Sequence, residues 1–364
     1  MLNGRKVDRS FLFISIILIV FGFFIFSSAA LALLAKENSN YSSIAFSQTI
    51  FGLLAGTVAM VIASRLDVQI WKKSAFWLLI IAIILNILVL VPEIGFEHAG
   101  ARRWIVFGGI SFQTSEILKL AFIVYFAAWL AGIKDRIKTF RRGFLPLIIL
   151  LVISAALLLN QPDTDNFLMI AFTGMAMFIA AGGKWRYVFL IILGGAIGLG
   201  LLAFMRPYIM QRITTYLNMQ VDAQGASYQV QQSLIAIGSG GLFGRGFGQS
   251  VQKFTYLPEP IGDSVFAVAA EEFGFVGSVF LLIMFVLFAT RGIKIASETT
   301  NIFARLSVVG IVIMITSQAF VNIGAMLGVV PLSGITLPFV SHGGTSLFIT
   351  LLEVGIILSI SRTK

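Results

Sequence analysis

The feature that most constrains this chain is an apolar run of about 20 residues that recurs ten times, at 10–34, 44–64, 74–91, 115–133, 144–159, 167–181, 187–205, 264–290, 304–330 and 345–361. A helix rises 1.5 Å per residue, so each run suits the roughly 30 Å hydrocarbon core of a bilayer. Lipid offers no partner to orphaned backbone groups, which leaves helices and closed barrels as the spanning structures. The runs are continuous rather than alternating, and that excludes the barrel. Composition agrees: 58% of residues are hydrophobic and 12% charged, too little polar surface to cover a water-facing globule. The expectation is an all-α polytopic membrane protein of about ten transmembrane helices, one integral membrane domain over 1–364.

Orientation follows from Lys and Arg, which stay on the cytoplasmic side. With the N-terminus inside, the inner segments hold 18 of the 26 basic residues, including Arg5, Lys6, Arg9, Lys72, Lys73, Arg141 and Arg142. Both termini are therefore expected in the cytoplasm, with the first run a retained span and not a signal peptide. The net charge of +10 is mostly this topology signal plus attraction to anionic lipid, so no nucleic-acid partner is expected. There is no cysteine for thiol chemistry, and the two histidines are too far apart in sequence for a zinc site.

Two outer segments break the pattern of short connections, 92–114 and the extracytoplasmic loop 206–263 between the seventh and eighth spans. The second contains "GSGGLFGRGFGQS" (238–250), which fails the Walker A and dinucleotide-binding spacings. Tight turns with positive φ are the favoured reading, and close approach of a bulky ligand is the other.

Charge inside the spans is costly and must pair or face water. Glu116 and Lys119, three apart, share one helical face and can pair, either as a structural ion pair or as part of a ligand cavity. Glu353 needs a partner across the bundle, and Gln318 and Asn322 are interhelical hydrogen-bond candidates. In "LPEPIGDSVFAVAAEEFGFVG" (257–277), Ala267, Ala270, Gly274 and Gly277 form a small-residue seam; Glu271 borders it and Glu272 points away. Asp263 thus stands apart at the membrane face, beside a helix N-terminus that favours its ionised form, as a helix cap or as a functional acid. Asp163, Asp165, Asp222, Glu259, Arg102, Arg103, Arg206, Arg212 and Lys253 complete the outer charges.

Four blocks carry a resemblance: "GARRWIVFGGISFQTSEILKL" (100–120), "NQPDTDN" (160–166), "QQSLIAIGSGGLFGRGFGQSVQKFTYLPEPIGDSVFAVAAEEFGFVG" (231–277) and "PLSGITLPFVSHGGTSL" (331–347). In this order and across ten spans, the chain resembles the SEDS family, the shape, elongation, division and sporulation proteins of the bacterial cytoplasmic membrane. "QSVQKFTYLPE" looks more like the division subfamily FtsW than the elongation subfamily RodA. Three places depart from the family pattern. Pro260-Ile261-Gly262 replace the usual residues before the aspartate, "QPDTDN" stands where "QPDLGT" is usual, and His342 replaces a tyrosine.

The resemblance implies a peptidoglycan glycosyltransferase that joins lipid II units, disaccharide-peptides on a lipid diphosphate, into glycan strands at the outer face. It maps the family's essential aspartate onto Asp263 and its conserved fourth-span pair onto Glu116 and Lys119. Inverting transfer needs one base for the acceptor hydroxyl and cations for the departing diphosphate. Arg102, Arg103, Lys119, Arg212 and Lys253 are the candidate diphosphate contacts. Asp263 could also bind a divalent cation, Mg²⁺ or Mn²⁺. The implied partners are lipid II, membrane lipid, a class B penicillin-binding protein transpeptidase and the division or elongation complex. The alternatives are a lipid II flippase, for which discontinuous helices would speak, and a non-catalytic division scaffold.

Overall fold

A computed structural model describes residues 6–34, 41–98, 101–107, 110–205, 210, 212, 214, 216 and 226–362. Arg206 and Asp222 lie outside these residues. The spanning helices are α1 (Arg9–Leu34), α2 (Tyr41–Arg65), α3 (Val68–Leu88), α4 (Thr114–Ile133), α5 (Phe140–Leu158), α6 (Thr164–Ala180) and α7 (Trp185–Met205). After these come α8 (Ala226–Ser239), the short α9 (Gln252–Thr255), α10 (Val265–Glu298), α11 (Ile302–Met326) and α12 (Gly344–Ser361). Among the described residues nine helices are long and apolar enough to cross a membrane, and α6, at 17 residues, makes the tenth apolar helix.

The bundle is ordered by burial. α11, α12 and the first half of α4 are enclosed, whereas α3 and α7 turn most of their surface outward. With no hydrophobic force between helices in lipid, close packing depends on small residues. Gly355 shows this on α12, where a Cβ would lie 2.5 Å from the carbonyl oxygen of Met60 on α2. The described ends of the chain lie side by side, the Asp8 amide donating to Ser361 Oγ at 3.0 Å and Arg291 pairing with Asp8 at 2.7 Å. Asp263 is at the other end of α10 from Arg291.

Two features correct the sequence reading. Segment 92–114, expected as a loop, contains a three-stranded antiparallel sheet: β1 (Gly95–His98), β2 (Ala101–Phe107) and β3 (Ile110–Gln113), in the order β1-β2-β3. The apolar stretches of β2 and β3, bounded by glycines, pair Trp104 with Gln113 and Val106 with Ser111.

The eighth span is not one helix, because α10 breaks at Gly274 (φ 66°, ψ −165°). The backbone groups freed by the break must be satisfied inside the protein. The glycine-rich segment does this. Arg245 and Gly246 donate their amides to the carbonyls of Glu271 and Glu272, both at 3.0 Å. The amides of Phe275 and Val276 donate in turn to Gly241 and Leu242, at 2.8 and 3.1 Å. Gly244 (φ +81°) leaves no room for a side chain, since its Cβ would lie 2.1 Å from the Glu272 carbonyl oxygen. The glycines thus allow close approach of backbone to backbone, with positive φ as expected. The supposed seam does not continue past Gly274, because the helical spacing ends there.

Candidate functional site

The turn before α10 presents Asp263. Glu259 adopts φ 46° and its carbonyl accepts from the amides of Gly262 and Ser264, at 3.1 and 3.2 Å. Loop 331–343, between α11 and α12, braces this turn. Ser341 Oγ donates to the Gly262 carbonyl at 2.8 Å, and the His342 amide donates to that of Ile261 at 2.7 Å. Asn322 on α11 donates one amide group to the carbonyls of Asp263 and Ile335, both at 2.9 Å. Gln48, at the π-helical stretch of α2, holds Ser341 and Gly343 from behind, at 3.2 and 2.9 Å. The backbone at Asp263 is therefore held by loop 331–343 and α11, with α2 behind the loop.

The carboxylate itself makes no hydrogen bond and no ion pair with the described residues. Asp263 does not cap the helix either, as Ser264 holds the cap position. Burial, followed by the negative charges of Glu259 and Asp165, pushes its pKa from 3.8 to about 7, against the pull of Arg103 and Arg212. The helix-end field expected to keep it ionised is outweighed. A carboxylate near neutrality is matched to proton abstraction at neutral pH. His342 is pushed the other way by burial, to about 4, so it is neutral there and holds the turn through its backbone.

Arg103 and Arg212 reach the site from different directions. Arg103, on β2, donates Nε to the Gln161 carbonyl at 3.3 Å, donates Nη2 to the Pro162 carbonyl, and lies 3.9 Å from Asp163. Gln161 is anchored in turn on Asn86 of α3, at 3.0 and 3.1 Å. Arg212, beyond α7, pairs with Asp165 at 2.8 Å. A Cβ built on Gly334 would lie 3.9 Å from each of Arg103 Nη1, Asp165 Oδ2 and Asp263 Oδ2, which locates the convergence of these groups.

Three sequence-based assignments change. Arg102 does not join Arg103: it is the register partner of Glu97 on β1 and pairs with that exposed side chain at 2.8 Å, whereas the register shift there leaves Arg103 unpaired on β1. Lys253 is fully buried and bonds Glu272 at 2.7 Å, Ser28 of α1 at 2.9 Å and the Gly248 carbonyl at 3.1 Å, so it cannot contact a diphosphate. Lys119 forms the expected pair with Glu116, at 2.7 Å, but both are buried and neither acts on Asp263. Glu353 of α12 lies within electrostatic reach of this pair, but its carboxylate makes no ion pair or hydrogen bond with the described residues, so the expected partner across the bundle is not found among them.

The pair at 271 and 272 also differs from expectation. Glu272, not Glu271, meets another spanning helix, accepting from Ser28 of α1 at 2.6 Å. Glu271 accepts from Ser250 Oγ at 2.6 Å and from the amides of Val251 and Gln252, at 3.1 and 3.3 Å. Asn322, Ser341, Gln48 and Gly334 were missed as site residues; "PLSGITLPFVSHGGTSL" was the signal for Gly334 and Ser341. No cluster of three or more His, Asp or Glu able to hold a metal occurs among the described residues.

A bundle of ten apolar helices with an unbonded near-neutral carboxylate beside two arginines defines a polytopic membrane protein with an acid–base site at one end of its bundle. The chain belongs to the cell cycle protein family that groups FtsW, RodA and SpoVE, whose family profile matches residues 8–364. It is 41% identical over 310 residues to stage V sporulation protein E of Bacillus subtilis (strain 168), covering 84% of each chain. It is 38% identical over 354 residues to the probable peptidoglycan glycosyltransferase FtsW of Geobacter sp. (strain M18), covering 97% of this chain and 96% of that one. Its fold matches a chain in "Structural coordination of polymerization and crosslinking by a peptidoglycan synthase complex", with TM-score 0.79, 27% identity and 98% of both chains covered.

Proposed function

We propose that this protein is a peptidoglycan glycosyltransferase of cell division, which polymerises lipid II at the outer face of the cytoplasmic membrane by inverting transfer with Asp263 as general base. The observation that carries the reading is the fixed backbone and unengaged carboxylate of Asp263, with a pKa of about 7, between Arg103 and Arg212. Asp263 takes the proton of the acceptor hydroxyl as that oxygen attacks the sugar carbon, and the bond to diphosphate breaks on the opposite side. Arg103 and Arg212 bind the diphosphate, as planar forks suited to phosphate oxygens, and hold its charge in the bound substrate as well as on departure. Asp165 is engaged by Arg212, so it is not free to act as a nucleophile, which favours one inverting step.

An apolar cleft of about 1110 Å³ between α5, α6, α7 and α11 suits the lipid chain. Mg²⁺ or Mn²⁺ is proposed only as a companion of the substrate diphosphate, because the residues present offer it Asp263 and no cage. The Lys and Arg bias supports placing the site outside the cell. The homologous fold taken from a polymerising and crosslinking complex supports a transpeptidase partner.

The broken α10 favours a second reading, a lipid II flippase, since discontinuous helices line transporter sites. Here the glycine segment fills the break, and that favours chemistry. The test is polymer formation and transbilayer movement in liposomes containing lipid II, the full chain and its transpeptidase. Asp263→Asn is expected to lower polymerisation about 10²- to 10⁴-fold. The wild-type rate should rise with pH and reach half its maximum near 7, as Asp263 loses its proton. Equal polymer from Asp263→Asn sinks the base, and lipid movement without polymer from the wild type sinks the transferase.

A further inference from the structure

We propose that Asp165 is a positioning residue that brackets Arg212 and loop 331–343 around the Asp263 site. Both carboxylate oxygens of Asp165 accept from Arg212 Nη1, at 3.0 and 2.8 Å, and Oδ2 also accepts from the Gly334 amide at 3.1 Å. Three segments far apart in sequence meet on this one side chain: the first turn of α6, the stretch after α7, and the loop that braces the aspartate turn. The Gly334 position lies equally close to Asp165 Oδ2, Asp263 Oδ2 and Arg103 Nη1, so the bracket adjoins the reacting carboxylate.

The bond to Arg212 has a particular need here. Arg212 follows α7, a helix that buries little of itself in the bundle, and its own side chain keeps 35% of its surface exposed. An ion pair between exposed side chains would order it weakly. Asp165 is mostly buried, at 12% side-chain exposure, and has the backbone of Gly334 as a second partner, which makes it a fixed anchor. Asp165 binds no substrate in this account. It acts through Arg212, so its loss should weaken diphosphate binding more than the chemical step.

The inference rests on the glycosyltransferase reading. Its test is the full chain with its transpeptidase in liposomes, with lipid II as substrate, measuring kcat and KM for wild type, Asp165→Asn, Asp165→Glu, Arg212→Gln and the Asp165→Asn/Arg212→Gln double variant. Asp165→Asn is expected to raise KM about tenfold with kcat changed less than about threefold, and Asp165→Glu to recover most of the loss. Arg212→Gln should raise KM by at least as much, and the double variant should be no worse than Arg212→Gln alone. An unchanged KM in Asp165→Asn, or losses that add in the double variant, would overturn the bracket. A loss in Asp165→Asn that Asp165→Glu does not recover, with a lowered melting temperature in both, would overturn it as well, by making the role one of folding. Asp263→Asn runs beside these variants. Undiminished polymer there removes the underlying reading, whereas an inactive Asp263→Asn with an unchanged KM in Asp165→Asn removes the bracket alone.

Discussion

Two groups of carboxylates, eight residues apart on the chain, meet opposite fates. Glu271 and Glu272 are fully buried, held by Lys253, two serines and backbone amides, and they clasp the broken α10 to the glycine-rich segment. Asp263 is half-buried, and its backbone is as firmly held, but its carboxylate is left without a bond among the described residues. The first arrangement uses charge to secure a fold that lipid would otherwise penalise. The second holds a charge in readiness: burial raises its proton affinity, and the energy of a missing partner is available to an incoming hydroxyl. Composition alone makes the three acids look alike, and completeness of partners is what separates them.

The largest expected contrast between the two comes from Lys253→Met. It leaves Glu272 charged and buried without a cation, and should destabilise the protein by about 3–5 kcal/mol. Adding Glu272→Leu should recover most of that loss, as measured by thermal unfolding in detergent. Asp263→Asn should behave in the opposite sense, inactive yet at least as stable as wild type at pH 8. The sign follows from linkage: a carboxyl whose folded pKa lies above its unfolded value makes the fold less stable as pH rises from 3.8 to about 7, and the amide removes that term. A large loss of stability in Asp263→Asn would mean that the two sites do not differ as described.

Much of this was legible in the sequence, for reasons that differ by residue. The apolar runs, the Glu116–Lys119 pair and Asp263 follow from local spacing and from the resemblance, and they sit where expected. Lys253 was misread because its partners, Ser28 and Glu272, are 225 and 19 residues away in sequence. The break at Gly274 was invisible because an apolar run reads as one helix when its hydrogen-bond partners come from another segment. Arg102 and Arg103 could not be told apart until β2 was recognised as a strand, and the strand signal was a short apolar stretch between glycines.

The clasp itself offers a smaller test. Gly244→Ala puts a side chain at φ +81°, against the Glu272 carbonyl, and should cost about 1–3 kcal/mol of stability. Gly238→Ala, in α8 with nothing within 4 Å of the added carbon, should be neutral or gain up to about 1 kcal/mol. If both glycines tolerate alanine equally, the segment does not hold α10 in the way its hydrogen bonds indicate. Thermal unfolding of the two variants side by side decides it.

A small effect, that of Arg102→Ala, is the most discriminating for the cation side of the site. Arg102 and Arg103 are neighbours in sequence and both were candidates for the diphosphate. The cross-strand register places Arg102 in an exposed pair with Glu97, where removal should cost no more than about 1 kcal/mol of stability. Arg102→Ala should therefore polymerise lipid II within about twofold of wild type, while Arg103→Ala loses about 1.5–3 kcal/mol of interaction with the charged leaving group, a factor of ten or more. Equal losses in the two variants would require both side chains to reach the substrate. That would place the diphosphate over the Glu97–Arg102 pair, and not in the space between Arg103, Arg212 and Asp263.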